Sequence, residues 1–200
     1  MTVRRLHRWV GIVMLLPFVG WAIIGAIFFI KPGYGGAYEA IAVKTYPLDA
    51  AVTLPSNPTW LEARYLKTVL GEHLLVRTAT GWTHLDPATL KERPAPDAVA
   101  LRALLDDAFT ANPARYGHIA RIDGLSVTTD TGVRVTLSWP RLSLTQRGPD
   151  TDRIDGLYKI HYLQWTGIAA VDKVLGLVGL VLILTLSGLG VWLLLRSRAV

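Results

Sequence analysis

Two long apolar runs near the ends of the chain constrain its fold more than any other feature. Each contains twenty-two residues without a charged side chain, and they span Trp9–Ile30 and Val174–Leu195. A helix of that length is about 33 Å long, enough for the roughly 30 Å hydrocarbon core of a bilayer. We therefore predict two transmembrane helices, at residues 1–31 and 173–200, with an extramembrane domain between them.

The positive charge of the chain is concentrated beside these runs. The net charge is +6, and five arginines flank the runs at the two termini without an acidic residue: Arg4, Arg5, Arg8, Arg196 and Arg198. The rest of the chain has 16 basic and 15 acidic residues and is nearly neutral. Since cytoplasmic flanks are enriched in Arg and Lys, both termini are predicted to be cytoplasmic and the central domain to face the outside, which is the periplasm if the source is a Gram-negative bacterium. This distribution argues against nucleic acid as a partner and for membrane lipid.

The first run has a second interpretation, a cleaved signal peptide. Its basic start fits, but the apolar core of a signal peptide usually has about 7 to 15 residues, which favours a signal anchor here. The chain has no cysteine, which excludes disulfides, thiolate metal sites and cysteine nucleophiles.

Residues 32–152 have the patterns of a small α+β domain. Thr59–Leu70 predicts a short amphipathic helix that ends at Gly71. Residues 73–78 and 82–85 predict two strands of a hairpin that turns at Thr80-Gly81.

The clearest soluble helix follows Asp97, a suitable N-cap. Its predicted apolar stripe consists of Val99, Leu101, Leu104, Leu105, Ala108 and Phe109. Residues 124–129 and 133–139 predict a second hairpin. Residues 153–172 predict an interfacial amphipathic helix, bent at Gly167, that leads into the second run.

Two of the five histidines, His7 and His161, lie beside the predicted spans. Neutral imidazole is the usual axial ligand of b-type haem, and helical membrane proteins bind haem between facing helices. Both residues have a plainer explanation. His7 lies among arginines and suits a headgroup anchor, while His161 suits the polar edge of an interfacial helix.

A metal site in the central domain is a further hypothesis. Glu72-His73 and His84 with Asp86 could meet across the first hairpin, although exposed strand histidines are far commoner than metal ligands.

Both runs are rich in glycine: Gly11, Gly20, Gly25, Gly176, Gly179, Gly188 and Gly190. Small residues allow helices to pack closely or make room for a flat macrocycle. Because two helices enclose little space, a homodimer that forms a four-helix bundle is an attractive hypothesis.

Three segments together resemble the PepSY-associated transmembrane family. They are Arg4-Arg-Leu-His-Arg-Trp-Val-Gly11, Tyr158-Lys-Ile-His-Tyr162 and the closing Thr185-Leu-Ser-Gly-Leu-Gly-Val-Trp-Leu-Leu-Leu-Arg196. The resemblance implies a PepSY-like periplasmic domain. It also implies a role as an inner-membrane b-type haem protein that moves electrons, as a ferric iron or siderophore reductase or a subunit of one. The family's histidines near its spans match His7 and His161, which makes these two the implied haem-iron ligands.

The chain departs from the larger family members by having two spans instead of four. An intramolecular four-helix haem bundle is therefore impossible, and dimerisation would have to supply it. The alternative function is that of a non-catalytic anchor whose outer domain binds or regulates a periplasmic partner such as a peptidase.

Overall fold

The computed structural model describes residues 2–55 and 57–197, so Arg198 lies outside the described residues. The chain divides into two units. One combines the segment up to Tyr34 with the segment from Asp152 onward, and the other is Gly35–Thr151.

Two long helices dominate the first unit, which we call the helical unit. Helix α1 is Val3–Ile30 and helix α6 is Ala169–Ser197. Both are long and apolar enough to cross a membrane, and only 11% and 6% of their most apolar windows are buried. Such exposure separates them from the core helices of a soluble protein. Helix α1 ends where predicted, at Lys31, whose N–H bonds to the carbonyl of Ile27 and whose left-handed φ of 53° turns the chain out of the helix.

Helix α5 is Pro149–His161, and its last turns belong to the helical unit. The interfacial helix predicted over residues 153–172 is thus shorter in the structure. Leu163 and Gly167 have φ values of 56° and 73°, which break the helix and turn the chain toward α6.

The second unit, which we call the sheet unit, contains two antiparallel sheets. The first has strands β1 (Glu62–Thr68), β2 (Gly71–Thr78) and β3 (Gly81–Leu85), in that order. The second follows the chain order of β4 (Ile119–Asp123), β5 (Ser126–Thr129), β6 (Arg134–Ser138) and β7 (Ser143–Arg147). Both predicted hairpins are present, as β2–β3 and β5–β6.

The helix predicted over Thr59–Leu70 is wrong, because that segment contains β1. Strand β1 pairs with β2 along its whole length, from Glu62 opposite Arg77 to Thr68 opposite Gly71. A two-residue turn at Val69-Leu70 joins Thr68 to its partner Gly71, whose φ is 92°, and makes this pairing local. Backbone pairing with the adjacent strand therefore outweighs a weak helical spacing of apolar residues.

Helix α3 (Ala98–Phe109) forms as predicted, and the carboxylate of Asp97 accepts a hydrogen bond of 2.8 Å from the N–H of Ala100. The stripe predicted on this helix is buried except at Val99, which is 79% exposed. The stripe packs in one core with residues of both sheets, among them Leu75, Val127, Val135, Leu137 and Leu144.

Three short elements complete the fold. They are α2 (Tyr34–Ala37), α4 (Pro113–Tyr116) and a 3-10 turn at Trp139–Arg141.

Candidate functional site

His7 lies on α1 where that helix packs against α6. A Cβ atom added to Gly190 would lie 3.5 Å from Cε1 of His7, so the glycine leaves room for the ring. The imidazole is half-buried, and its Nδ1 atom is buried without a hydrogen-bond partner among the described residues. Because this atom is closed to solvent, an outside ligand would have to bind through the other ring nitrogen, Nε2.

His161 is the last residue of α5 and lies at the other end of α1. Its ring meets the ring of Phe28 edge-on, with centroids 5.3 Å apart, and the ring of Tyr162 at 5.4 Å. Tyr158 stacks on Phe28 at 4.4 Å and completes an aromatic cluster. The Nδ1 atom of His161 is also buried and has no partner among the described residues.

The structure does not bring His7 and His161 together. His161 contacts Phe28, which lies on the same continuous helix as His7 but 21 residues later. At about 1.5 Å per residue, the two histidines are about 31 Å apart along that axis. One iron atom cannot be held by both histidines of a single chain.

The glycines of α1 and α6 divide into two groups. In the first group, a Cβ atom added to the glycine would lie within 4 Å of an atom in the facing long helix or in the turn between α5 and α6. This group consists of Gly11, Gly176, Gly179 and Gly190. Gly20, Gly25 and Gly188 have no atom within 4 Å of that position. The first group explains the close helix packing, and the second leaves smooth open surface on the helices.

An apolar groove of about 390 Å³ runs along α1 beside α6. It is lined by Gly11, Met14, Leu15, Phe18, Val19, Ala22 and Leu186. The groove lies between the two histidines along α1, and its lining residues carry no charge.

The sheet unit holds a second histidine constellation, and here the sequence prediction of exposed strand histidines is wrong. His73 of β2 and His84 of β3 are 0% and 2% exposed, and Nδ1 of His73 lies 2.9 Å from Nε2 of His84. On the outer side of each ring, Nε2 of His73 is 2.7 Å from Oγ1 of Thr68, and Nδ1 of His84 is 3.0 Å from the carbonyl of Trp139.

The carbonyl of Trp139 only accepts, so His84 donates from Nδ1 and, when neutral, accepts at Nε2. The Nδ1 atom of His73 faces two groups, the Nε2 atom of His84 and the Nη1 atom of Arg93, which only donates. The hydroxyl of Thr68, which accepts from the N–H of Leu70 at 3.0 Å, can donate to or accept from Nε2 of His73 and therefore suits either neutral tautomer of that ring. We assign His84 as the neutral Nδ1–H tautomer on this basis.

Burial keeps this pair neutral, and the nearby Arg93 adds to the effect. Its guanidinium donates to the carbonyls of Glu72 and Leu70 at 2.7 and 3.1 Å, and Nη1 lies 3.1 Å from Nδ1 of His73. Burial lowers the pKa of His73 to about 3, with Arg93 and His84 adding to the effect. Burial also lowers the pKa of His84 to about 4, although its bond to the Trp139 carbonyl opposes the shift.

The metal hypothesis for this hairpin gains no support from the geometry. Glu72 accepts a hydrogen bond from Tyr65 at 2.7 Å, and Asp86 accepts from Ala88 and Thr89 in its own loop. No group of three or more metal-ligating side chains occurs in the described parts of the chain. The arrangement instead joins β2 and β3 to the 3-10 turn through a buried, neutral network.

The sequence contains one indication of this burial that the prediction did not use. His73-Leu-Leu-Val76 is an apolar run in which successive residues are all buried, as in a strand covered on both faces. A histidine inside such a run lies in the core whichever face it points to.

Comparison with family models, with curated proteins and with solved structures finds no match for this chain.

Proposed function

We propose that this chain is an integral protein of the bacterial inner membrane. In this proposal α1 and α6 span the bilayer, both termini are cytoplasmic and the sheet unit is periplasmic. Two observations support it. The two apolar helices are largely exposed, and such surfaces are stable in lipid and not in water. Arginines flank the helices at the two chain termini, as is typical of cytoplasmic ends.

We further propose that the protein carries b-type haem at His7 and His161 and moves electrons across the membrane. The observation that carries this proposal is the pair of half-buried imidazoles near opposite ends of α1, each with a buried Nδ1 atom lacking a partner among the described residues. Both Nδ1 atoms are closed to solvent, so Nε2 is the nitrogen through which either ring would hold a haem iron.

The chain's own residues fit this group in part. Each end of α1 offers one imidazole, so a second copy of the chain would supply the other ligand of each iron. We therefore propose a homodimer that forms a four-helix bundle, with one haem between the two His7 residues and one between the two His161 residues. Haem, when bound, supplies a one-electron carrier at each position.

The neighbouring residues have defined parts in this arrangement. Gly190 leaves space for the ring of His7, and Phe28 with Tyr162 limits the orientation of the His161 ring. The electron acceptor on the periplasmic side would be ferric iron or a ferric siderophore, which makes the protein a haem-dependent ferric reductase or a subunit of one.

A second candidate function is that of a non-catalytic anchor that presents the sheet unit to a periplasmic partner such as a peptidase. The observation in its favour is that Gly35–Thr151 is a compact unit with a hydrophobic core of its own.

A reduced-minus-oxidised absorption spectrum separates these two functions. The full chain is expressed with haem supplied, purified in detergent and reduced with dithionite. The proposal predicts a shifted Soret band and sharp α and β bands. A preparation that contains no haem would favour the anchor and overturn electron transfer.

A further inference from the structure

A pocket of about 770 Å³ lies beside the turn that joins α5 to α6, within the helical unit. Its lining includes two lysines, two large aromatic residues and the first apolar turns of α6. Among the lining residues are Lys159, Tyr162, Trp165, Lys173, Gly176 and Leu177.

The polar end of the pocket carries a net positive charge, because its lining has two lysines and one acidic residue. Lys159 and Lys173 are exposed, and neither forms a salt bridge within the described parts of the chain. The acidic residue of the lining, Asp172, is already engaged, because its Oδ1 accepts from the N–H and the hydroxyl of Thr166 at 3.0 and 2.8 Å. An anion can therefore approach the two ammonium groups without displacing an existing ion pair.

The other end of the pocket is apolar. Gly176 and Leu177 lie about two turns into α6, and Leu177 is 62% exposed. Tyr162 and Trp165 are 57% and 63% exposed and have the amphipathic rings that favour the membrane interface. Trp165 is held by a hydrogen bond of 3.2 Å from its Nε1 to the carbonyl of Ile160.

We propose that this pocket binds one anionic phospholipid. Its phosphate contacts Lys159 and Lys173, and its acyl chains leave along Gly176 and Leu177. This assignment rests on the proposed insertion of α6 into the membrane, since that insertion puts the cationic end of the pocket at headgroup level. A lysine near an anionic lipid surface strengthens binding about fivefold, so the pair should contribute about 25-fold.

Native mass spectrometry of the detergent-solubilised full chain tests the assignment, with phosphatidylglycerol and phosphatidylcholine as probes of matched chain length. We expect a retained phosphatidylglycerol adduct that is about 25-fold weaker in the Lys159→Gln/Lys173→Gln variant and restored in Lys159→Arg/Lys173→Arg. The control Lys31→Gln/Lys91→Gln removes two charges outside the pocket and should retain the adduct. Equal binding of the two lipids, or equal loss in both Gln variants, would overturn the proposal.

Two further experiments show whether a negative result concerns the lipid pocket or the insertion of the helices into the membrane. Glycerophosphoglycerol, which lacks acyl chains, should compete weakly, and competition as strong as that of the intact lipid would replace the lipid with a small-anion site. Alkaline extraction of membranes from the same cells tests insertion by itself. A chain that stays in the membrane but shows no lipid preference refutes only the pocket, whereas release of the chain refutes the spanning helices.

Discussion

The Nδ1 atom of His73 lies 2.9 Å from the Nε2 atom of His84, and neither residue is more than 2% exposed. The hydrogen bonds to Thr68 and to the Trp139 carbonyl complete a network in which both rings are neutral. This network ties the first sheet to the 3-10 turn after β6, and its stability depends on neither ring gaining a proton.

The stability of the sheet unit should therefore fall as the pH is lowered from about 6.5 toward 4. In the unfolded chain these histidines bind protons below a pKa of about 6.5, whereas in the folded chain the pKa values are about 3 and about 4. The unfolded state thus binds more protons in this window, and each histidine lowers the free energy of unfolding by up to about 1.4 kcal/mol per pH unit. Thermal unfolding of the full chain in detergent, followed by near-UV circular dichroism, measures the effect.

The control for this prediction is His118→Ala, because His118 is exposed. The variant should retain the pH dependence. Asp150, whose pKa is lowered chiefly by its hydrogen bond to Arg115, acts in the same direction, but only near and below the ordinary aspartate pKa of 3.8, where the unfolded carboxyl gains its proton. A midpoint that does not change between pH 6.5 and 4.5 would contradict the neutral network.

A second prediction concerns the ion pair of Arg115 and Asp150, whose side chains are 11% and 19% exposed. Nη1 of Arg115 lies 2.8 Å from Oδ2 of Asp150, and Nη2 donates to Gln146 at 2.7 Å. Asp150→Asn should lower the free energy of unfolding by about 2–3 kcal/mol, because it leaves a largely buried guanidinium without its counter-ion.

The matched control is Asp123→Asn, which breaks the exposed pair of Arg121 and Asp123. Its effect should be much smaller, because water screens that pair. Chemical denaturation of both variants measures the difference, and equal effects would show that the burial of Arg115 and Asp150 has no energetic consequence.

A third prediction concerns the contact between His7 and Gly190. A leucine at position 190 would occupy the space that the His7 ring uses, since even a Cβ atom there lies 3.5 Å from Cε1. Gly190→Leu should therefore lower the haem content by about half while leaving the site at His161 intact. Gly188→Leu is the control, because Gly188 has no atom within 4 Å of its Cβ position. Haem is quantified per chain as the pyridine haemochrome, and an equal loss in both variants would show that helix packing, and not the His7 ring, is responsible.

The proposed topology can be tested with single cysteines, because the chain has none of its own. Thr80→Cys lies in the β2–β3 turn and is exposed, and Thr2→Cys lies beside the first arginines. A membrane-impermeant maleimide added to spheroplasts should label Thr80→Cys at once and Thr2→Cys only after lysis. The reverse order of labelling would contradict the assignment of cytoplasmic termini.

Local sequence patterns predicted the long helices and α3 because their determinants are close in sequence. The uncharged runs and Lys31-Pro-Gly define α1, and Asp97 defines the start of α3. Strand β7 was not predicted, because Leu144 is its one buried residue and the alternation is too short to recognise. Strand β1 was mistaken for a helix because its conformation depends on pairing with β2, which its own residues do not encode.

The two histidine sites also differ in how much of each can be predicted from the sequence. The positions of His7 and His161 beside the apolar runs are visible in the sequence, and the structure adds their separation along α1 and the unpartnered Nδ1 atoms. The burial of His73 and His84 depends on Trp139 and Arg93, which lie 55 and 9 residues after His84. Only the fold brings these residues together.

The most direct test of the central claim is the haem stoichiometry of three alanine variants of the full chain, purified in detergent and measured by pyridine haemochrome. The wild type should contain about one haem per chain, which corresponds to two per homodimer. His7→Ala and His161→Ala should each lose about half of it, and His118→Ala should lose none. Full haem content in both the His7 and the His161 variants, or loss in the His118 variant, would contradict the proposed sites.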